Sequence, residues 1–173
     1  NELDGYRDHS HARGSLINTK LRIPLGESSE LLISLNITDQ PEAQDPGGIN
    51  EGQAASDPSS ARDRNVQFDS GESLEQQRFG VVYQRRTDAG KLTLRNYYAW
   101  RAFANKLPFV GGGSVDLDRS FFGAGAQYSF SVLPDGLSLA VGVDYDRQDD
   151  NRKRFDNNDG LLGPMVFDQN EKV

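Results

Sequence analysis

Six stretches of this chain alternate apolar and polar residues, and the segments that join them are by turns short and long. Leu31, Ile33, Leu35 and Ile37 are aliphatic, while Ser34, Asn36 and Thr38 between them are polar. Leu137, Leu139, Val141, Val143 and Tyr145 repeat the pattern against Ser138, Ala140, Gly142, Asp144 and Asp146. A period of two puts each set on its own side of a β-strand, because successive Cβ atoms point to opposite faces of the pleat. Tight connections at one end of each strand pair and loose ones at the other predict an all-β chain of antiparallel, up-and-down strands. One rim is then plain, and the other carries the loops.

Strands are predicted at residues 15–25, 30–38, 76–86, 91–103 and 118–132. A sixth starts at 137 and runs out beyond Asp146 into a polar segment that lasts to the end. Pro24 is acceptable only because it closes the first strand. Tight turns fall at residues 26–29, 87–90 and 134–136, with Gly90 supplying a positive φ. The long connections are residues 39–73, rich in Pro, Gly, Asp, Gln and Ser, and residues 105–117, with Gly111, Gly112 and Gly113 at the tip. A loop as long as 39–73 is expected in a compact domain only where it has work to do. A short helical turn is weakly signalled within residues 50–61.

Composition narrows the class. With 35% hydrophobic residues, no apolar run approaches the roughly 20 residues that a membrane-crossing helix needs. A barrel escapes that test, since only every second strand residue must be apolar, and about 9–11 tilted residues span a bilayer. Net charge is −7, and the densest basic group, Arg152-Lys153-Arg154, sits between Asp149-Asp150 and Asp156. Nucleic acid would ask for a coherent positive field, so it is not expected as a partner. The absence of cysteine excludes thiolate metal sites, thiol catalysis and disulfides together. The opening Asn1-Glu2-Leu3-Asp4-Gly5 lacks the basic and apolar run of a secretion leader, as expected of a chain cut or processed from something longer.

Two architectures use such strands: a membrane barrel and a soluble β-sheet ligand-binding module. The barrel is favoured by three features. The polar face is built of Gly, Ser, Ala and Gln with scattered Arg and Asp, as suits a wet lumen. Tyr83, Tyr98, Trp100, Tyr128 and Tyr145 sit toward strand ends, where amphipathic rings meet a bilayer interface. The long loops gather at one rim. Against it, Asn96 interrupts the apolar face of the fourth strand.

Asp4-Gly5-Tyr6-Arg7-Asp8-His9-Ser10, the stretch from Leu31 to Asp39, and above all Gln40-Pro41-Glu42-Ala43-Gln44-Asp45-Pro46-Gly47-Gly48-Ile49 resemble the barrel region of TonB-dependent outer-membrane receptors. The last of these looks like the start of a long extracellular loop, which would cover about residues 39–73. The resemblance spans most of the chain, loosely after Phe103. It implies part of a large transmembrane β-barrel in the bacterial outer membrane. It also implies import of a ferric siderophore or a similar iron complex, energised by TonB through a plug domain that residues 1–173 do not include. The partners implied are that iron complex, TonB and outer-membrane lipid. Vitamin and sugar importers share the architecture.

Arg95, Tyr97 and Arg101 share the inferred lumen face of the fourth strand and are the candidate ligand-binding residues; lumen charges that merely hydrate the wall are the plainer explanation. His9 and His11 lack a third metal ligand nearby and read as solvated histidines. Asp156-Asn157-Asn158-Asp159-Gly160 resembles a calcium loop, but Gly falls fifth rather than sixth and Phe167 occupies the twelfth place, so a solvated turn is expected. Asp144 and Asp146 share a face and would serve acid–base chemistry only if buried in a cleft. Gly111-Gly112-Gly113-Ser114 lacks the lysine of a phosphate loop, and Ser10 and Ser70 sit in no nucleophile elbow. No catalytic, metal or cofactor motif is expected.

Overall fold

The computed structural model describes residues 1–131 and 136–173. One antiparallel sheet contains every strand, in the order β1-β2-β3-β4-β5-β6-β7-β8, each paired with its sequence neighbour. The strands are β1 (Glu2–Leu3), β2 (Ala12–Pro24), β3 (Ser29–Gln44), β4 (Gly71–Thr87), β5 (Gly90–Lys106), β6 (Ser114–Ser131), β7 (Ser138–Asn158) and β8 (Leu161–Lys172). The all-β, up-and-down expectation holds. The count differs, with eight strands among the described residues where six were expected.

The added strands are a two-residue β1, paired Glu2 to Arg13 and Leu3 to Ala12, and β8. Residues 147–173 are not a polar tail. β7 continues through them to Asn158, and β8 returns against its upper half, with Asp149 opposite Lys172 and Asn158 opposite Leu161. The turn between them is Asp159-Gly160, both at positive φ (50° and 86°), the type I′ geometry that two-residue hairpins prefer. The stretch that resembled a calcium loop is thus a hairpin turn.

Strands also run further into the loop-bearing rim than their apolar alternation does. The long connection is residues 45–70 rather than 39–73, because β3 reaches Gln44 and β4 starts at Gly71. The next is residues 107–113 rather than 105–117. Two helices, α1 (Glu51–Ser56) and α2 (Asp63–Gln67), replace the single weak turn expected at 50–61; α1 opens on a capping box between Asn50 and Gln53. At the plain rim the 26–29 turn and the 87–90 turn stand as expected, with Gly90 at φ 155° starting β5. Val132, Pro134 and Asp135, expected in the end of the fifth strand and its turn, lie outside the described residues.

Register sets the two faces. From Trp100 to Ser120 and from Tyr98 to Phe122, residues of β5 and β6 meet directly with no bulge. Across the sheet one row reads Leu21, Ile33, Val81, Asn96, Ala124 and Tyr145, and the next Thr19, Leu35, Phe79, Tyr98, Phe122 and Arg147. Such rows make one face apolar over β2–β7. Asn96 does interrupt it, between Val81 and Ala124. The opposite face presents Ser34, Asn36, Arg78, Gly80, Arg95, Tyr97, Gly123, Gly125, Asp144 and Asp146 in the same register.

Burial lies elsewhere. Among the described residues, the buried apolar side chains are Ala61, Phe68 and Val115, all near the loop-bearing rim. There Arg7 donates to the carbonyls of Ser60 (2.8 and 3.0 Å) and Gly47 (2.6 Å), fastening residues 45–70 to the chain before β2. His9 Nε2 donates to the Ser70 carbonyl at 2.8 Å, and Asn65 Nδ2 to Asp45. His11, by contrast, lies 3.2 Å from Asp4 and 3.6 Å from Glu2. The two histidines turn to different surroundings rather than to a shared ligand.

Candidate functional site

The polar face of β4–β7 carries the three residues singled out from sequence, and register decides what each can touch. Arg95 stands opposite Gly125, which stands opposite Asp144; Tyr97, Gly123 and Asp146 form the adjacent row. A glycine in the middle strand leaves room for the outer two to meet across it. The Arg95 guanidinium pairs with the Asp144 carboxylate over Gly125, and the Tyr97 hydroxyl donates to Asp146 Oδ1 at 2.7 Å over Gly123. A Cβ on Gly125 would collide with Asp144 Oδ1 and Arg95 Nε, and one on Gly123 with the Tyr97 ring and Asp146. Arg78 completes the group, its guanidinium 5.5 Å from the centre of the Tyr97 ring.

Arg95 and Tyr97 are therefore engaged within the sheet, each by one of the carboxylates whose spacing had raised acid–base chemistry. Asp144 and Asp146 lie exposed on an open face, each against its own partner on β5, and not in a cleft. Gly125→Val is expected to break the Arg95–Asp144 rung. The obstructing atoms belong to two exposed, flexible side chains, so the cost should stay within about 1 kcal/mol, the worth of an exposed ion pair, read by denaturant unfolding, and Asp144→Ala with Gly125→Val should cost less than the sum of the two.

Arg101 lies two rows further toward the loop-bearing rim, beyond Ala99. It stands directly opposite Arg119. Like charges in that position repel, and each arginine turns to the strand on its far side. Arg101 donates to Gln76 Oε1 through Nε (2.8 Å) and Nη2 (2.5 Å). Arg119 forks onto Asp150, with Nε 2.7 Å from Oδ1 and Nη2 on Oδ2, and stacks 5.6 Å from the Phe121 ring. The Arg119 bond holds the Asp150 carboxyl below its ordinary value of 3.8, and Asp150 in turn raises the arginine. A carboxyl depressed in the folded state stabilises above its unfolded value, and that contribution is lost as pH falls through the folded one. Thermal stability should decline below pH 3.8, and Asp150→Asn should flatten the part of the decline that Asp150 contributes.

Above this fork the polar face opens into a cavity of about 360 Å³ that sequence reasoning missed. Its floor is Phe103, Val115 and Leu117; Arg119, Arg152 and Arg154 border it together with the carboxylates of Asp150 and Glu171. The rows are Phe103–Leu117–Arg152 and Asn105–Val115–Arg154. Arg152 and Arg154 had been set aside as charges diluted by flanking acids. The missed signal is parity. In Asp150-Asn151-Arg152-Lys153-Arg154, alternation puts both arginines on the polar face and Lys153 on the other.

A second groove, about 410 Å³, lies on the opposite side of the same rim, lined by Ala104, Lys106, Ser114 and Phe155 beneath Asp69 and Ser70. Lys106 Nζ pairs with Asp69 Oδ2 at 2.5 Å. No family model matches the sequence.

Proposed function

We propose that this chain forms part of the wall of a bacterial outer-membrane β-barrel, of the TonB-dependent receptor type, that binds and imports a ferric siderophore or similar iron complex. The observation that carries the wall assignment is the apolar face. It crosses six strands with Leu21, Leu35, Phe79, Leu94, Tyr98, Val141 and Val143 all exposed, and among the described residues no second layer covers it. In water such a surface would be a large liability; in hydrocarbon it is the solvated side.

Its height suits a bilayer. Phe122 and Phe130 on β6 are eight steps apart, about 26 Å along the strand at about 3.3 Å per residue. Aromatic residues mark both ends: Phe79, Tyr98, Trp100 and Phe122 toward the loops, Tyr128 and Phe130 toward the plain rim, with Leu94, Ala124, Ala126 and Val143 between. Tyr128 and Phe130 stack at 5.8 Å, and Phe122 meets Tyr145 at 6.5 Å. Beyond the belt β4–β7 continue as polar and charged strands, which would lift residues 45–70 and 107–113 above the lipid.

In this reading the polar face lines the lumen, where Arg95–Asp144 and Tyr97–Asp146 stiffen the wall and the cavity above them meets the incoming complex. Import is binding followed by gated passage, with no bond chemistry. The test is uptake of a labelled ferric complex by cells with and without the coding segment. Loss of the uptake that a protonophore also abolishes supports the proposal; unchanged energised uptake contradicts it.

A further inference from the structure

Beyond that receptor reading and independent of it, we propose that the groove of about 410 Å³ on the apolar-face side of the loop-bearing rim takes a small organic cation, an ammonium group carried on an apolar body. Its charge is one-sided. Five charged residues line it: the acids Glu42, Asp69, Glu72 and Asp116, and the base Lys106. Lys106 is already engaged, its Nζ 2.5 Å from Asp69 Oδ2. Glu42 Oε2 lies 4.0 Å from His11 Nε2, and its other oxygen accepts from Gln44 Nε2 at 3.3 Å. Among the described residues Glu72 and Asp116 form no ion pair, although Lys153 stands opposite Asp116 across the β6–β7 ladder. The groove therefore keeps a negative excess.

The rest of the lining suits the body of such a ligand. Ala43, Ala104, Phe155 and Leu162 make much of it apolar, which lowers the local dielectric and strengthens the pull of a carboxylate on an ammonium. Phe155 adds an aromatic ring, whose face attracts a cation within about 6 Å. Ser70 is a second and separate pointer. It is 1% exposed and belongs to the lining, and its Oγ has no hydrogen-bond partner among the described residues. A buried polar atom left unpaired is costly, and an N–H donated from the groove would satisfy it. An anion would meet repulsion from the acids, and a neutral molecule would gain only the apolar contact. A volume near 410 Å³ falls in the range of small-molecule sites.

The experiment is an amide chemical-shift titration of the full chain, folded in detergent micelles, with 2-phenylethylammonium and with its neutral counterpart 2-phenylethanol. The ammonium should give saturable shifts at Ser70, Gly71, Ala104 and Ser114. It should bind at least about tenfold more tightly than the alcohol, as charge-assisted bonds do over neutral ones. E72Q/D116N should remove most of that preference while leaving the alcohol unchanged, and raising the salt from about 0.02 M to about 0.5 M should act in the same direction. S70A should weaken the ammonium severalfold. Glu72 and Asp116 are exposed, and an otherwise unshifted amide spectrum confirms that the variants fold. Equal affinity for the two compounds, shifts that do not saturate or that fall elsewhere, or an E72Q/D116N variant that keeps the full preference overturns this assignment. None of these results bears on the receptor reading, which the uptake experiment decides.

Discussion

Asn157→Ala is expected to unfasten the loop-bearing rim at a cost of about 2 kcal/mol or more, since each buried group left without a partner costs about 1–3 kcal/mol. Asn157 is fully buried. Its Nδ2 donates to the carbonyls of Phe68 at 2.9 Å and Leu107 at 3.0 Å, and its Oδ1 accepts from the Gly160 N–H at 2.8 Å. Its own N–H donates to the Val110 carbonyl at 2.9 Å. One side chain on β7 thereby joins residues 45–70, residues 107–113 and the β7–β8 turn. Alanine leaves the Phe68 carbonyl and the Gly160 N–H without these partners, while the Leu107 carbonyl keeps the Phe109 N–H at 2.8 Å. Asn157→Asp, although the same size, should cost as much, because it supplies no donor for the carbonyls and buries a charge. Denaturant unfolding reads the total. Amide exchange should localise it, with Gly160 and Leu107 losing protection while the belt strands keep theirs.

If the proposed barrel assignment is right, Val143→Arg should cost about 2–4 kcal/mol in a bilayer, the penalty for a charge near the middle of a lipid-facing surface. Val143 is 69% exposed and lies between the two aromatic zones, in register with Ala126. Ala140→Arg, on the polar face of the same strand, is the control and should change stability by less than about 0.5 kcal/mol. Urea unfolding from vesicles measures both. A soluble sheet that left this face in water would show no difference between the two substitutions.

How much of this was legible beforehand depends on which forces write themselves into alternation. β3 and β6 were plain because one face of each is apolar over their middle residues. Their outer ends were not, since Gln40–Gln44 is largely polar and at Ser114–Arg119 the apolar parity reverses, with Val115 and Leu117 on the face that is polar further down the strand. β8 was lost for the same reason, as Asp168, Gln169, Asn170 and Glu171 read as tail. Its turn was available: Asp159-Gly160 is a strong two-residue hairpin signal, but the neighbouring acids drew attention to calcium instead.

At the site, Arg95, Tyr97 and Arg101 were correctly placed on the polar face. That Asp144 and Asp146 would reach two strands over to engage Arg95 and Tyr97 depends on pairing Gly125 and Gly123 between them. Pairing at that separation is a tertiary fact, fixed by the order and register of three strands. The contribution of Asn157 is likewise invisible locally, because its partners lie 89, 50 and 3 residues away.

The measurement that tests the central claim most directly is a nitroxide scan along β7 in lipid vesicles, labelling residues 139–147 one at a time as single cysteines. The chain has no cysteine of its own, so every label is unambiguous. If the apolar face meets lipid, collisions with oxygen should peak at 139, 141, 143 and 145, and collisions with a water-soluble nickel chelate should peak at 140, 142, 144 and 146. Odd positions shielded from both reagents would mean that the apolar face packs against protein, and the membrane-wall account would fall.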